Sequence, residues 1–183
     1  YSALWVDIQT AREQPDKLSA FRSILNDFDW ALTRDLPDIP RPSSGERQKL
    51  LEDPENAILF YLHNICRAAP SPLVVFFDEA DGLVGEAMVS FLTQLRAGYI
   101  DRSKTPFPHS LALVGMRQVR DFVISTEERR AVTWLGTTSP FNITAEATTL
   151  EPFSLDDVRE LLKQHTSHTN QLFETESVEL IHE

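Results

Sequence analysis

Five consecutive apolar residues, Leu73-Val74-Val75-Phe76-Phe77, run straight into two carboxylates, Asp78 and Glu79, and no other stretch constrains the fold as tightly. An apolar run without alternation describes a strand covered on both faces, the situation of a parallel sheet flanked by helices on either side. Such a strand delivers Asp78 and Glu79 to the carboxyl edge of the sheet, where open α/β sheets bind ligands. Carboxylates held there without a cation or hydrogen-bond donors are costly. A magnesium ion carried by nucleotide phosphates would supply the cation, since Mg²⁺ takes oxygen ligands and keeps several waters. On that reading Asp78 serves the metal, and Glu79 orients and deprotonates an attacking water. The competing reading is structural: Glu79 or Asp81 is an acidic N-cap that starts the next helix.

The flanking pattern predicts an alternation of strands and helices. Ala3-Leu4-Trp5-Val6-Asp7 reads as a buried strand that also ends on a carboxylate. Leu18, Phe21, Ile24, Leu25, Phe28 and Leu32 recur at helical spacing, and a second amphipathic helix is expected from Asn56 to Ala68, ended by Pro70 and Pro72. Leu36 to Glu46, with three prolines and Ser43-Ser44-Gly45, reads as a loop. Val84, Met88, Phe91, Leu92 and Leu95 share a helix face, with Gly98 as its expected stop. Ser110 to Gly115 reads as another buried strand and Thr148-Thr149-Leu150 as a short further one. Ser154-Leu155-Asp156-Asp157 resembles a capping box, from which a helix runs through Val158, Leu161 and Leu162; a last helix begins near Glu176. Strands alternating with helices call for a layered α/β fold with right-handed crossovers.

Charge and cysteine usage narrow the function classes. A formal charge of −11 weighs against this segment gripping a phosphate backbone by itself, so DNA would be met only through regions outside it. The single cysteine, Cys66, excludes an intramolecular disulfide framework and favours a reducing cytoplasm; among Leu62, Ile65 and Ala68 it reads as a small buried apolar residue. No apolar run reaches the length of a membrane span, and no signal peptide pattern is present. The chain opens on Tyr1 and closes on Ile181-His182-Glu183 in mid-pattern, so a fragment is expected.

The stretch from Leu73 to Phe122 resembles the Walker B to sensor-1 region of bacterial AAA+-like ATPases related to the STAND and origin-recognition branches. The resemblance is carried by the Leu73–Glu79 run, Leu95-Arg96-Ala97-Gly98-Tyr99, the Gly115-Met116-Arg117 turn and Ser139-Pro140-Phe141-Asn142-Ile143. It implies a three-layer parallel-sheet P-loop NTPase of the AAA+/ASCE type, N-terminally truncated. Residues 1–152 would be the nucleotide-binding core, and 153–183 the start of a helical lid. It implies ATP and Mg²⁺ as cofactors, with a homo-oligomer or a partner protein as companions, in the cytoplasm and away from membranes. It also implies an upstream strand with a Gly-rich, lysine-bearing loop, expected beside the Leu73–Phe77 strand, so that its absence would leave a central gap. Nothing in the 183 residues matches G-x-x-x-x-G-K-[ST]. Arg117, with Arg120 as the neighbouring candidate, falls where such ATPases keep a polar residue that senses the γ-phosphate. The alternative is a pair of surface arginines bridging to Asp121, Glu127 or Glu128. Arg129 and Arg130 read as solvated helix charges in preference to arginine fingers.

Three other features carry less. Asp78-Glu79-Ala80-Asp81 spells a helicase signature, but Gly115-Met116-Arg117 stands where that family needs a Ser-Ala-Thr-type motif. His165 and His168 could meet on one helix face, yet no third zinc ligand lies nearby. Trp5, Trp30 and Trp134 are spread apart and read as core or interface residues. Two function classes follow: an ATP-hydrolysing domain with Asp78 and Glu79 as its acidic pair, or a nucleotide-dependent switch or scaffold with little turnover. A degenerate α/β domain that binds no nucleotide is the third.

Overall fold

In the computed structural model, which describes residues 1–14, 16–116 and 148–182, three apolar runs form one parallel sheet. The strands are β1 (Ser2–Asp7), β2 (Leu73–Asp78) and β3 (Ser110–Leu113), in the order β1-β2-β3. Ser2 pairs in register with Leu73 and Asp7 with Asp78, while Val74 to Phe77 face Ser110 to Leu113. Six α-helices are described: α1 (Lys17–Asp35), α2 (Ser44–Glu52), α3 (Ala57–Ala68), α4 (Gly85–Asp101), α5 (Leu155–Thr169) and α6 (Thr175–His182). The chain divides into two units, Tyr1–Ala145 and Glu146–Glu183.

The core lies on one face of the sheet. Leu4, Val6, Leu73, Val75 and Phe77 are buried there against Phe21, Ile24, Leu25 and Phe28 of α1, Tyr61, Leu62 and Ile65 of α3, and Phe91, Leu92 and Leu95 of α4. The Phe77 ring sits edge-on to Phe28 at 5.6 Å and to Phe91 at 5.1 Å, so it anchors both helices to the central strand. Each such fully buried side chain stabilises the fold by about 1.5–3 kcal/mol.

The other face corrects the expectation of strands dry on both sides. Val74, Phe76 and Asp78 are half-buried, and Ala3, Trp5 and Asp7 are exposed, with Trp5 stacked on Phe76 at 5.2 Å. The described residues therefore build a mixed α/β arrangement with helices on one side of a small parallel sheet, two of the three expected layers. The strand order explains why. Right-handed crossovers that step the same way, β1 to β2 to β3, put every connecting helix on one face; only a step in the reverse direction covers the other.

A second correction concerns the middle of the sheet. No gap lies beside β2, which pairs with β1 on one side and β3 on the other. The outer edge of β1 is also occupied. Ser2 and Ile8 donate inward to Pro72 and Asp78 carbonyls, so the odd residues of β1 point outward. There the Trp5 N–H donates to the Asp35 carboxylate (3.4 Å), and the Trp5 carbonyl accepts from Arg34 (2.7 Å).

Three further differences are local. The loop expected from Leu36 to Glu46 ends at a helix, α2, started by a complete Ser43/Glu46 capping box. Gly98 does not stop α4, which continues to Asp101; it is the point where the Phe107 ring meets the helix, and a methyl group there would collide with the ring. Thr148-Thr149-Leu150 is exposed and forms no strand. In the second unit, α5 begins at the expected Ser154/Asp157 capping box, and α6 begins at Thr175.

Candidate functional site

Asp78 is the last residue of the central strand, at the carboxyl edge, level with Asp7 of β1. The chain reverses there. The Asp78 carboxylate accepts the Glu79 N–H at 3.0 Å, and Glu79 takes a left-handed backbone conformation, φ 55° and ψ 27°. For a residue with a Cβ that conformation costs about 1–2 kcal/mol, and such strain persists where the surroundings impose it. Three backbone bonds impose it here: Val114 N–H to Phe77 carbonyl (2.8 Å), Ala80 N–H to Val114 carbonyl (3.0 Å) and Gly82 N–H to Glu79 carbonyl (2.9 Å). The kink re-aims the chain directly after the strand, and Glu79 is left half-buried at the rim.

The structural alternative holds in position only: Glu79 is the N-cap residue of the short 3₁₀ turn Ala80–Gly82, without a side-chain cap hydrogen bond. The N-cap of α4 is Val84, with no side-chain cap, and neither Glu79 nor Asp81 serves that helix. Asp81 instead turns inward. It is 5% exposed and accepts the Met116 N–H at 3.2 Å, while Gly115 lies so close that a Cβ there would overlap the Asp81 carboxylate. A short 3₁₀ turn, Ala80–Gly82, carries Asp81, and the Gly82 carbonyl accepts the Glu13 N–H of a second turn that follows β1.

That second turn brings in a carboxylate the sequence reading missed. Asp27 of α1 accepts the Thr10 hydroxyl at 2.6 Å. Burial pushes its carboxyl up to about 6, the Thr10 hydrogen bond opposes the rise, and the negative charge of Asp7 adds to it. Helical periodicity could not single it out, because Asp27 sits between the core positions Ile24 and Phe28 and meets Asp7 and Thr10 only through the fold.

The rim therefore carries Asp7, Asp27, Asp78, Glu79 and Asp81. Among the described residues no group of three or more His, Cys, Asp or Glu side chains converges as a metal cage. Asp78 remains the candidate metal residue; a hard cation held there would draw its other oxygens from phosphate and water.

Of the remaining sequence-level candidates, Arg117 and Arg120 lie outside the described residues, as do Arg129, Arg130, Trp134 and the Ser139–Ile143 run. Burial pushes the Cys66 thiol up to about 12, in keeping with an unreactive packing residue. Trp30 is 75% exposed and is no core residue. His165 and His168 are exposed on α5, His168 bonding back to the Gln164 carbonyl at 2.8 Å. No helix among the described residues is long and apolar enough to cross a membrane.

No known family's sequence profile, no curated protein and no solved structure matches this chain.

Proposed function

We propose that this chain is the acidic half of an ATPase site of the AAA+/STAND kind, covering the Walker B to sensor-1 portion. Asp78 would hold Mg²⁺ bound to ATP, and Glu79 would act as general base for the attacking water. The observation that supports this best is the end of β2: a central parallel strand leads into Asp78 and then into a strained, left-handed Glu79 at the carboxyl edge. Strain at the first residue after such a strand is characteristic of sites where a side chain has to be aimed.

The reading also defines what must complete the site. A phosphate-binding loop with its lysine is absent from these 183 residues and would come from chain beyond them. Its strand has no place beside β2, and the β1 edge is closed by Arg34 and Asp35. On this reading the strand would add at the outer edge of β3, which pairs with no other strand among the described residues. A strand added there would require a long return crossover, and its helix would cover the Trp5–Phe76 face and supply the third layer. Arg117, with Arg120 as the neighbouring candidate, would be the cation that senses the γ-phosphate.

In a protein that includes the phosphate-binding loop, Glu79→Gln should lower ATP turnover by about 10²–10⁴-fold while ATP binding persists. Turnover unchanged by that substitution would remove Glu79 from the chemistry. Tight retention of ATP or ADP with no multiple turnover in the wild type would instead identify the nucleotide-dependent switch, with homo-oligomer or partner contacts as its output.

A further inference from the structure

Two turns meet at the carboxyl edge without being neighbours in sequence: residues 79–82 after β2, and residues 114–116 after β3. Three hydrogen bonds tie the turn after β3 to the end of β2 and the turn that follows it. Two are backbone bonds, Val114 N–H to Phe77 and Ala80 N–H to Val114. The third, Met116 N–H to Asp81 at 3.2 Å, is the farthest along both chains and the only one of the three that depends on a side chain. Burying a carboxylate to 5% exposure is expensive, and a hydrogen bond to it is stronger than one between neutral groups. The fit is also steric. Gly115 lets the Asp81 carboxylate lie against the main chain, where any Cβ would overlap it. None of this serves the helix that follows, which is capped at Val84.

We propose that Asp81 is a positioning residue that locks the turn after β3 to the turn bearing Glu79, so that Gly115 and Met116 are registered against the candidate base. The proposal rests on the reading of Glu79 as the base only for its functional consequence; the lock itself is geometric. Its role differs from those of Asp78 and Glu79, since Asp81 would touch neither metal nor water. The lock would make the turn bearing Glu79 and the turn after β3 respond as one unit. A ligand that shifts Glu79 would then shift Met116, and the reverse.

The test uses a protein that includes the phosphate-binding loop, with Asp81→Ala, Asp81→Asn and Gly115→Ala compared by amide hydrogen exchange and by ATP kinetics. Loss of one hydrogen bond to a charged group predicts exchange at Met116 faster by about tenfold or more in Asp81→Ala. Asp81→Asn, which keeps an acceptor oxygen, should retain most of the protection. Gly115→Ala breaks the same lock from the other side and stands in should Asp81→Ala fail to fold. In kinetics, Asp81→Ala should lower kcat with KM for ATP nearly unchanged, and Asp81→Asn should restore much of kcat. Unaltered exchange at Met116 in both Asp81→Ala and Gly115→Ala would overturn the lock. Equal loss of kcat in the Ala and Asn variants would overturn the positioning role. A wild type without turnover, with the exchange pattern as expected, would sink the ATPase reading and leave the lock standing.

Discussion

Glu79 and Asp27 show how single residues near this rim depend on their surroundings. Glu79 was legible as a candidate from its place after an apolar strand, but its left-handed backbone is imposed by bonds to Val114 and Gly82 that no local pattern records. Asp27 was not legible at all, and its environment makes a pH prediction. Its folded carboxyl titrates near 6, above the ordinary 3.8, chiefly because burial disfavours the charged form. The folded state thus holds this proton longer than the unfolded chain, and the contribution of Asp27 to stability falls as pH rises from about 4 to about 6. Because the group is only half-buried, solvent screening limits the effect to on the order of 1 kcal/mol. Asp27→Asn should flatten this part of the profile and raise the urea midpoint at pH 7. A variant that keeps the wild-type slope between pH 4 and 6 would show that another carboxylate is responsible.

At the scale of elements, periodicity located the helices whose faces build the core, and missed the features set by contact between helices. α1, α3 and α4 follow from apolar spacing, and the Ser154/Asp157 cap from local sequence. α2 buries no residue, so no apolar stripe announced it; its Ser43-x-x-Glu46 cap was the available signal. Gly98 was misjudged because a helix stop and a close approach both favour glycine, and only the Phe107 ring separates them. The start of α3 is likewise settled from outside. Asn56 makes no side-chain cap, and the orphan N–H groups of Ile58 and Leu59 donate to Gln94 of α4 at 2.9 and 3.2 Å. Gln94 is 2% exposed and donates in turn to the Pro54 carbonyl and the Ser90 hydroxyl, so one amide joins α3 to α4. Gln94→Ala strands buried donors and opens a cavity, and should cost about 2–4 kcal/mol, read as a lower denaturant midpoint. A loss under about 1 kcal/mol would mean that water replaces the amide.

For the whole molecule, the decisive fact is strand order. Three parallel strands stepping one way leave one face covered by helices and the other carrying Trp5 on Phe76, and they leave β2 paired on both sides. The Arg34–Asp35 pair that occupies the outer groups of Trp5 makes β1 a protected edge. Replacing both with alanine frees an N–H and a carbonyl beside the exposed Trp5 and half-buried Phe76, so the variant should self-associate as concentration rises, by light scattering. A double variant that stays as monodisperse as the wild type would show that the edge is guarded by something else. The amino-acid sequence alone determined that the chain is α/β, where β1, β2, β3 and the core helices run, and that Asp78 and Glu79 follow a strand, because these depend on periodicity and on neighbours a few residues apart. The tertiary structure alone decided that β2 is central, that its second face stays half-covered, that Glu79 is strained and that Asp81 meets Met116. Each of those rests on groups tens of residues apart, and chain spacing carries no information about which of them will touch.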